Sequence, residues 1–474
     1  MGEKADERLI IVSGDSHAGI PNDLWAEYLP ERFHDLLPSL RQDNVIYPTA
    51  MQLNVAKSAI EGASSHAHHP EHQEAHSTGW HGLHDPVLRL ADMDREGIAA
   101  EIIYLGDFRL GDLFHNVTNR SYGLEAWEAG AKAWNRWTSD TFGFATDRFL
   151  VTAAIGPCVD MDAAVAEIHW IAEHGFVGTY APGYMTHPDM PPLYDPYWEP
   201  FWAACAETGI AIVVHAGYGT EQGLVFPHVQ EIYDTVAEAA GSTDREALLA
   251  HASAVTDESR QFFTNFSNYN IDSRRPMWQL MLGGVFDRHP TLRFVPSEIR
   301  LDWIPTTLAH IDAVYAEHRD EVPAQRAPSD YWSSNCLGVG SFMHKAEVEM
   351  RHEIGVENMV FGRDYPHPEG TWPHTTGWLQ DAFEGVPDDE LRLILGENAI
   401  RFFGLDRARL AEIAKRIGPT IDELHAGGPV ADDLIASFAL RGGYLKPAER
   451  DTNLEKVDEA LRADLEALAV TGSR

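Results

Sequence analysis

A distorted parallel (β/α)8 barrel, a TIM barrel, is the fold predicted for this chain of 474 residues, and three observations carry the prediction. Short apolar runs alternate with longer helical patterns, the signature of repeated βα units around a parallel sheet. Eight such runs can be counted, which is the barrel number. Histidines and carboxylates follow several of the runs directly, as expected where chemistry gathers at the C-terminal ends of barrel strands.

The first run, Leu9–Ser13, leads into Gly-Asp-Ser-His, where Asp15 and His17 are two residues apart. In extended backbone such residues point to the same side, so both would project from the strand end. The second and third runs are Ala100–Leu105 and Phe149–Ile155. The stretch Met161–His174 that follows has helical apolar spacing and stops at Gly175, a C-cap residue. Phe176–Tyr180 is the fourth run, and Ile210–Val214 the fifth, with His215 behind it. Leu292–Val295 leads to Glu298, Tyr331–Cys336 is the seventh run, and Met359–Gly362 leads to Asp364. Most of these runs are rich in branched or aromatic residues, which suit strands.

Three segments stand outside the repeat. From about 43 to 85 an insertion crowds His66, His68, His69, His72, His76, His81 and His84 together. No fixed ligand spacing recurs in it, so it reads as a polar loop or lid before a metal-storage tract. An excursion over about 217–270 separates the fifth and sixth runs and is placed to cover the barrel mouth. The barrel is expected to span 1–405 and a helical extension 406–474. In that extension Leu454, Val457, Leu461, Leu465 and Leu468 form one apolar stripe, which predicts a homodimer or a packing face on the barrel itself.

Composition narrows the partners. With 36 Lys and Arg against 73 Asp and Glu, the net charge of −37 repels phosphate backbones and anionic membranes, so neither nucleic acid nor membrane is expected as a partner. The cysteines Cys158, Cys205 and Cys336 lack metal-motif spacing and are too few for a disulfide framework, which fits a reducing cytoplasm. No run approaches the length of a membrane span, and the first residues carry no apolar signal core. A cytoplasmic enzyme acting on a small molecule is the expectation.

Four strand ends thus converge on one mouth with Asp15, His17, His215, Glu298 and Asp364. Two imidazoles with carboxylates and no thiolate suit one catalytic divalent cation, Zn2+ first and Mn2+ second. The stretches GDSHAGIP, VVHAG, FDRHPTLRFVPSEIRLDWIP and FGRDYPHPEGTWP together resemble the amidohydrolase-related family, the group that includes aminocarboxymuconate semialdehyde decarboxylase. The resemblance runs from about Ile10 to Leu405 and implies a distorted (β/α)8 barrel with a mononuclear metal. It implies that Asp15, His17, His215 and Asp364 hold the metal or its water. Two positions depart from the family: Asp15 stands where His or Glu is usual, and Glu298 where its decarboxylases carry His. A carboxylate at the latter position is similar to the family's carbon–carbon bond hydrolases.

A bound cation lowers the pKa of its water and polarises a carbonyl, and Asp364 is the natural base for that water. Glu298 and His251 are further catalytic candidates. Arg109, Arg274, Arg275 and Arg300 could grip a substrate carboxylate or phenolate through a guanidinium fork, and Trp303 could wall an aromatic pocket. The reading is a metal-dependent hydrolase of an amide, an ester or a carbon–carbon bond beside a carbonyl. The alternative is a non-oxidative decarboxylase of an aromatic or unsaturated acid. A scaffold on a retired barrel would show broken ligand positions, and these are intact.

Overall fold

The computed structural model describes residues 8–21, 23–38, 80–106, 123–182, 190–216, 271–367, 370–426, 430–432 and 454–471. Residues 43–79, the excursion over 217–270, Arg109 and His251 lie outside them.

Among the described residues nine strands form one parallel sheet: β1 (Ile11–Ser13), β2 (His17–Ala18), β3 (Ile98–Leu105), β4 (Phe149–Ala153), β5 (Gly178–Tyr180), β6 (Ala211–His215), β7 (Phe294–Ser297), β8 (Gly338–Ser341) and β9 (Met359–Gly362). Both β1 and β2 pair with β3, so they fill a single barrel position, and the others follow in chain order. Gly14 N–H donates to the Phe361 carbonyl at 2.8 Å and His17 N–H to the Tyr365 carbonyl at 2.7 Å, which joins the last position back to the first. All eight residues of β3 are buried, as a strand covered on both faces must be. The helix Met161–Glu173 starts on Asp160, whose side chain caps Ala163 N–H, and Gly175 follows its end at φ 79°. Among the described residues no helix is long and apolar enough to cross a membrane.

The seventh expected strand is displaced. Tyr331–Cys336 lies mostly in a helix, Pro328–Asn335, and the strand is the Gly-Val-Gly-Ser segment that follows. Pro328 opens the first turn, and the hydroxyls of Ser333 and Ser334 donate to carbonyls one turn back, so the aromatic pair serves a buried helix face. The two glycines that hide β8 from a propensity reading are there for close approach. A Cβ on Gly338 would stand 2.6 Å from Leu301 Cδ2, and one on Gly340 2.3 Å from Met343 Cε.

The helix Leu454–Thr471 packs on the barrel helices Ile271–Leu282 and Ile304–His318. Val457, Leu461 and Leu468 of its apolar stripe are buried there. Asp464, on the same face, accepts from Arg275 at 2.8 and 2.9 Å, from Trp278 Nε1 at 2.9 Å and from Gln279 Nε2 at 2.9 Å.

Candidate metal centre

Asp15 and His17 reach the mouth from the junction of β1 and β2. The Asp15 carbonyl accepts from Ser13 Oγ at 2.8 Å and from Asp364 N–H at 3.1 Å, and its Oδ2 accepts from Ser341 Oγ of β8. His215 ends β6. Its Nδ1 lies 3.1 Å from the Ala216 carbonyl, an arrangement that places a proton there and leaves Nε2 as the donor for a metal. Glu298 and Asp364 follow β7 and β9 at φ 55° and 54°. Left-handed backbone at a residue with a side chain costs about 1–3 kcal/mol and tends to mark functional sites.

The side chains converge. His17 Nε2 is 3.7 Å from Asp15 Oδ1, 3.9 Å from Glu298 Oε2 and 3.2 Å from Asp364 Oδ1. His215 Nε2 is 3.4 Å from Asp15 Oδ1 and 3.1 Å from Glu298 Oε2. Ligands bound at about 2.1 Å in a tetrahedron stand about 3.4 Å apart, so these separations are those of donors around one cation. His17 Nε2 hydrogen-bonds to none of the carboxylates it faces, which fits side chains aimed at a common point. Three buried carboxylates also need a positive charge beside them. Chemistry and spacing therefore fit a divalent cation held by two nitrogens and carboxylate oxygens.

His367 adds a second overlapping set with His17, Glu298 and Asp364. Its ring stacks on that of His17 at 4.0 Å and 8°, and its Nδ1 is 3.2 Å from Asp364 Oδ1. Rings that lie parallel one above the other cannot both point at one ion in their planes, so His17 goes with Asp15, His215 and Glu298. His367 instead flanks Asp364.

Electrostatics divide the histidines. Burial, then His367, His215 and Arg89, push His17 well below the usual histidine value, so it is neutral and able to ligate. Burial also pulls on His215, but Asp15 and Glu298 outweigh it and raise its pKa. Tyr104, 5.0 Å from the His215 ring, is raised by burial and then by Asp15, which keeps its phenol protonated.

The substrate candidates separate. Arg274 stacks over Trp303 at 4.7 Å, Arg300 pairs with Asp302, and the Trp303 indole N–H donates to the Ile299 and Arg300 carbonyls at 2.7 and 2.9 Å. Arg274, Arg300 and Trp303 are all buried. Arg275 is drawn away to Asp464. Sequence reading passed over His367, Ser341, Arg89, Glu101 and Arg363. His367 and Arg363 stand in the very motif around Asp364, and Glu101 is an acid inside an apolar strand, a sign of a buried charge with partners.

Comparison with known proteins places these features. A family model described as Amidohydrolase matches residues 63–405, more than half of the chain. A gamma-resorcylate decarboxylase of Rhodococcus jostii (strain RHA1) is 28% identical over 273 residues, covering 55% of this chain and 72% of the relative. Among solved structures, an amidohydrolase of Mycobacterium avium subsp. paratuberculosis K-10 superposes with a TM-score of 0.54 at 18% identity, covering 84% of this chain and 99% of that one. A 5-carboxyvanillate decarboxylase of Novosphingobium aromaticivorans DSM 12444, with bound manganese and 3-methoxy-4-hydroxy-5-nitrobenzoic acid, superposes with a TM-score of 0.53 at 16% identity, covering 85% and 99%. At these identities the structural likeness speaks for the barrel fold.

Proposed function

This chain belongs to the amidohydrolase family, and from that premise we propose that it is a divalent-metal-dependent, non-oxidative decarboxylase of a hydroxylated aromatic acid. The observation that carries the reading is the sequence kinship with a gamma-resorcylate decarboxylase across most of that relative's length. It reverses the order suggested by Glu298, whose carboxylate favoured hydrolysis from sequence alone.

The proposed ligands are Asp15, His17, His215 and Glu298, with Asp364 adjoining. When bound, the cation supplies positive charge for the anionic oxygens of the substrate. Arg274 and Arg300 are the proposed groups for a substrate carboxylate or phenolate, and Trp303 the proposed wall beside its ring; what supports this is guanidinium and indole chemistry and the stacking of Arg274 on Trp303. Asp364 is the proposed proton carrier: its carboxyl, charged with a proton taken from water, delivers it to the ring carbon that bears the substrate carboxylate. The carbon–carbon bond to that carboxylate breaks, carbon dioxide leaves with the bond's electron pair remaining in the ring, and water reprotonates Asp364 for the next turnover. His17 Nε2 and His367 Nδ1 each lie 3.2 Å from Asp364 Oδ1. The oxygen-rich donor set puts Mn2+ level with Zn2+.

The test is a panel of hydroxybenzoates and of aryl esters and amides, assayed for carbon dioxide and for released alcohol or amine with Mn2+- and Zn2+-loaded protein. Carbon dioxide from a hydroxybenzoate supports the reading. Turnover of the esters or amides without carbon dioxide release replaces it with hydrolysis through a metal-activated water, the chemistry Glu298 would serve.

A further inference from the structure

We propose that Glu101 is a positioning residue for this centre, acting through Arg89 and Arg363 to fix His17 and Asp364 relative to each other; the inference rests on the metal reading above. Glu101 lies in β3, opposite Ser13, three residues before Tyr104, which pairs with His17. At about 3.3 Å per residue its backbone stands roughly 10 Å back along the strand from that of Tyr104, and Glu101 is not one of the clustered donors.

Its two carboxylate oxygens take two guanidinium groups. Arg89 Nε donates to Oε1, while Arg363 donates to Oε2 from Nε at 3.0 Å and from Nη2 at 2.6 Å. All three side chains are fully buried. What each arginine does with its remaining donors gives the cluster its direction. Arg89 Nη1 donates to the carbonyl of His17 at 2.6 Å and to that of Gly82 at 3.2 Å. Arg363 Nη1 donates to Glu96 at 3.1 Å, and Glu96 holds Thr375 through its N–H at 3.0 Å and its hydroxyl at 2.8 Å. Arg363 N–H donates to Ser13 Oγ at 2.9 Å, and that hydroxyl donates to the Asp15 carbonyl.

The clamp therefore ends on the backbone of His17, on Asp15 through Ser13, and on the residue immediately before Asp364. Asp364 adopts a left-handed conformation that its own sequence does not favour, so something outside it has to hold it. Two buried arginines against two buried glutamates are balanced in charge, yet apolar residues of similar volume would stabilise a barrel at least as well. Placement of the ligand-bearing backbone explains why ions stand there. Partners of this kind, one step removed from the donors, commonly change metal affinity by about 10–100-fold when lost.

The experiment uses full-length wild type, Glu101→Gln, Glu101→Asp and Arg89→Lys. It measures the Mn2+ and Zn2+ dissociation constants by chelator competition, the visible absorption of the Co2+-loaded proteins, and the unfolding midpoint. Expected is a folded Glu101→Gln protein that binds metal at least 10-fold more weakly, with an altered Co2+ spectrum, and partial rescue in Glu101→Asp. Arg89→Lys keeps the charge but loses the fork, and should weaken binding in the same direction, so it decides the matter if Glu101→Gln fails to fold. A lowered midpoint with wild-type metal affinity and an unchanged Co2+ spectrum would make Glu101 merely structural and overturn the inference. Wild-type protein without a tight cation would overturn the metal reading, and this inference with it.

Discussion

His17 has two tasks: its Nε2 faces three carboxylates, while its carbonyl is held by Arg89. His215 faces two of the same carboxylates from the opposite strand, so His215→Ala is expected to leave purified protein with little bound metal by elemental analysis, and stoichiometric metal in that variant would remove it from the ligand set. Asp364→Asn is expected to lower kcat by about 10²-fold or more when loaded with metal, as loss of a positioned proton carrier does. Near wild-type turnover would assign Asp364 another role. Glu101 adds a dependence on pH. Burial alone would raise its carboxyl, but Arg363 and Arg89 hold it below the usual range. A carboxyl with a lower pKa in the folded state binds fewer protons there, so its contribution is complete above the unfolded value of about 4.3 and fades as pH falls through the folded one. Glu101→Gln should thus be less stable than wild type in urea at neutral pH and lose less on acidification; parallel losses would contradict this. That Asp15, His17, His215, Glu298 and Asp364 come together was legible from sequence because strand ends of a barrel share one mouth, and a strand end can be read from an apolar run. His367 and the clamp were passed over: the motif around Asp364 and the acid inside an apolar strand flag these residues, but ring stacking and buried ion pairs leave no spacing that says what they contact.

Strand β9 closes against β1 so tightly that a Cβ on Gly362 would lie 2.7 Å from Asp15 Cβ and 3.2 Å from Asp15 N. Gly362→Ala is therefore expected to cost about 1–3 kcal/mol of stability through overpacking, and to displace Asp15 enough to weaken metal binding. A variant with wild-type unfolding midpoint and metal affinity would show that the contact is slack. Seven of the eight strand positions could be read because branched and aromatic residues cluster in them. The seventh in order escaped for a physical reason: its strand is made of small residues that let Leu301 and Met343 come close, while the aromatic pair before it belongs to a helix. Propensity reports what a side chain prefers, and at Gly338 and Gly340 there is none because the packing leaves no room for it.

The C-terminal helix is tied to the barrel rather than left as a bare face. Its amphipathic stripe was legible, but such a stripe carries no address, and Asp464 in its middle is what matches Arg275, Trp278 and Gln279. Leu461→Ala should cost about 2–5 kcal/mol, a buried-leucine cavity, and removal of residues 454–474 should lower the unfolding midpoint. An unchanged midpoint after that truncation would mean that the helix leaves the barrel in solution. Light scattering on both chains tests the proposed homodimer, which would have to form through a surface other than the covered stripe. The central claim, one cation at the mouth of the barrel, is tested most directly by anomalous diffraction at the manganese and zinc edges from crystals grown with the metal. The account predicts one strong peak among the side chains of Asp15, His17, His215, Glu298 and Asp364. A mouth without a peak, with the ion held instead by the histidines of the 66–84 tract, would contradict it.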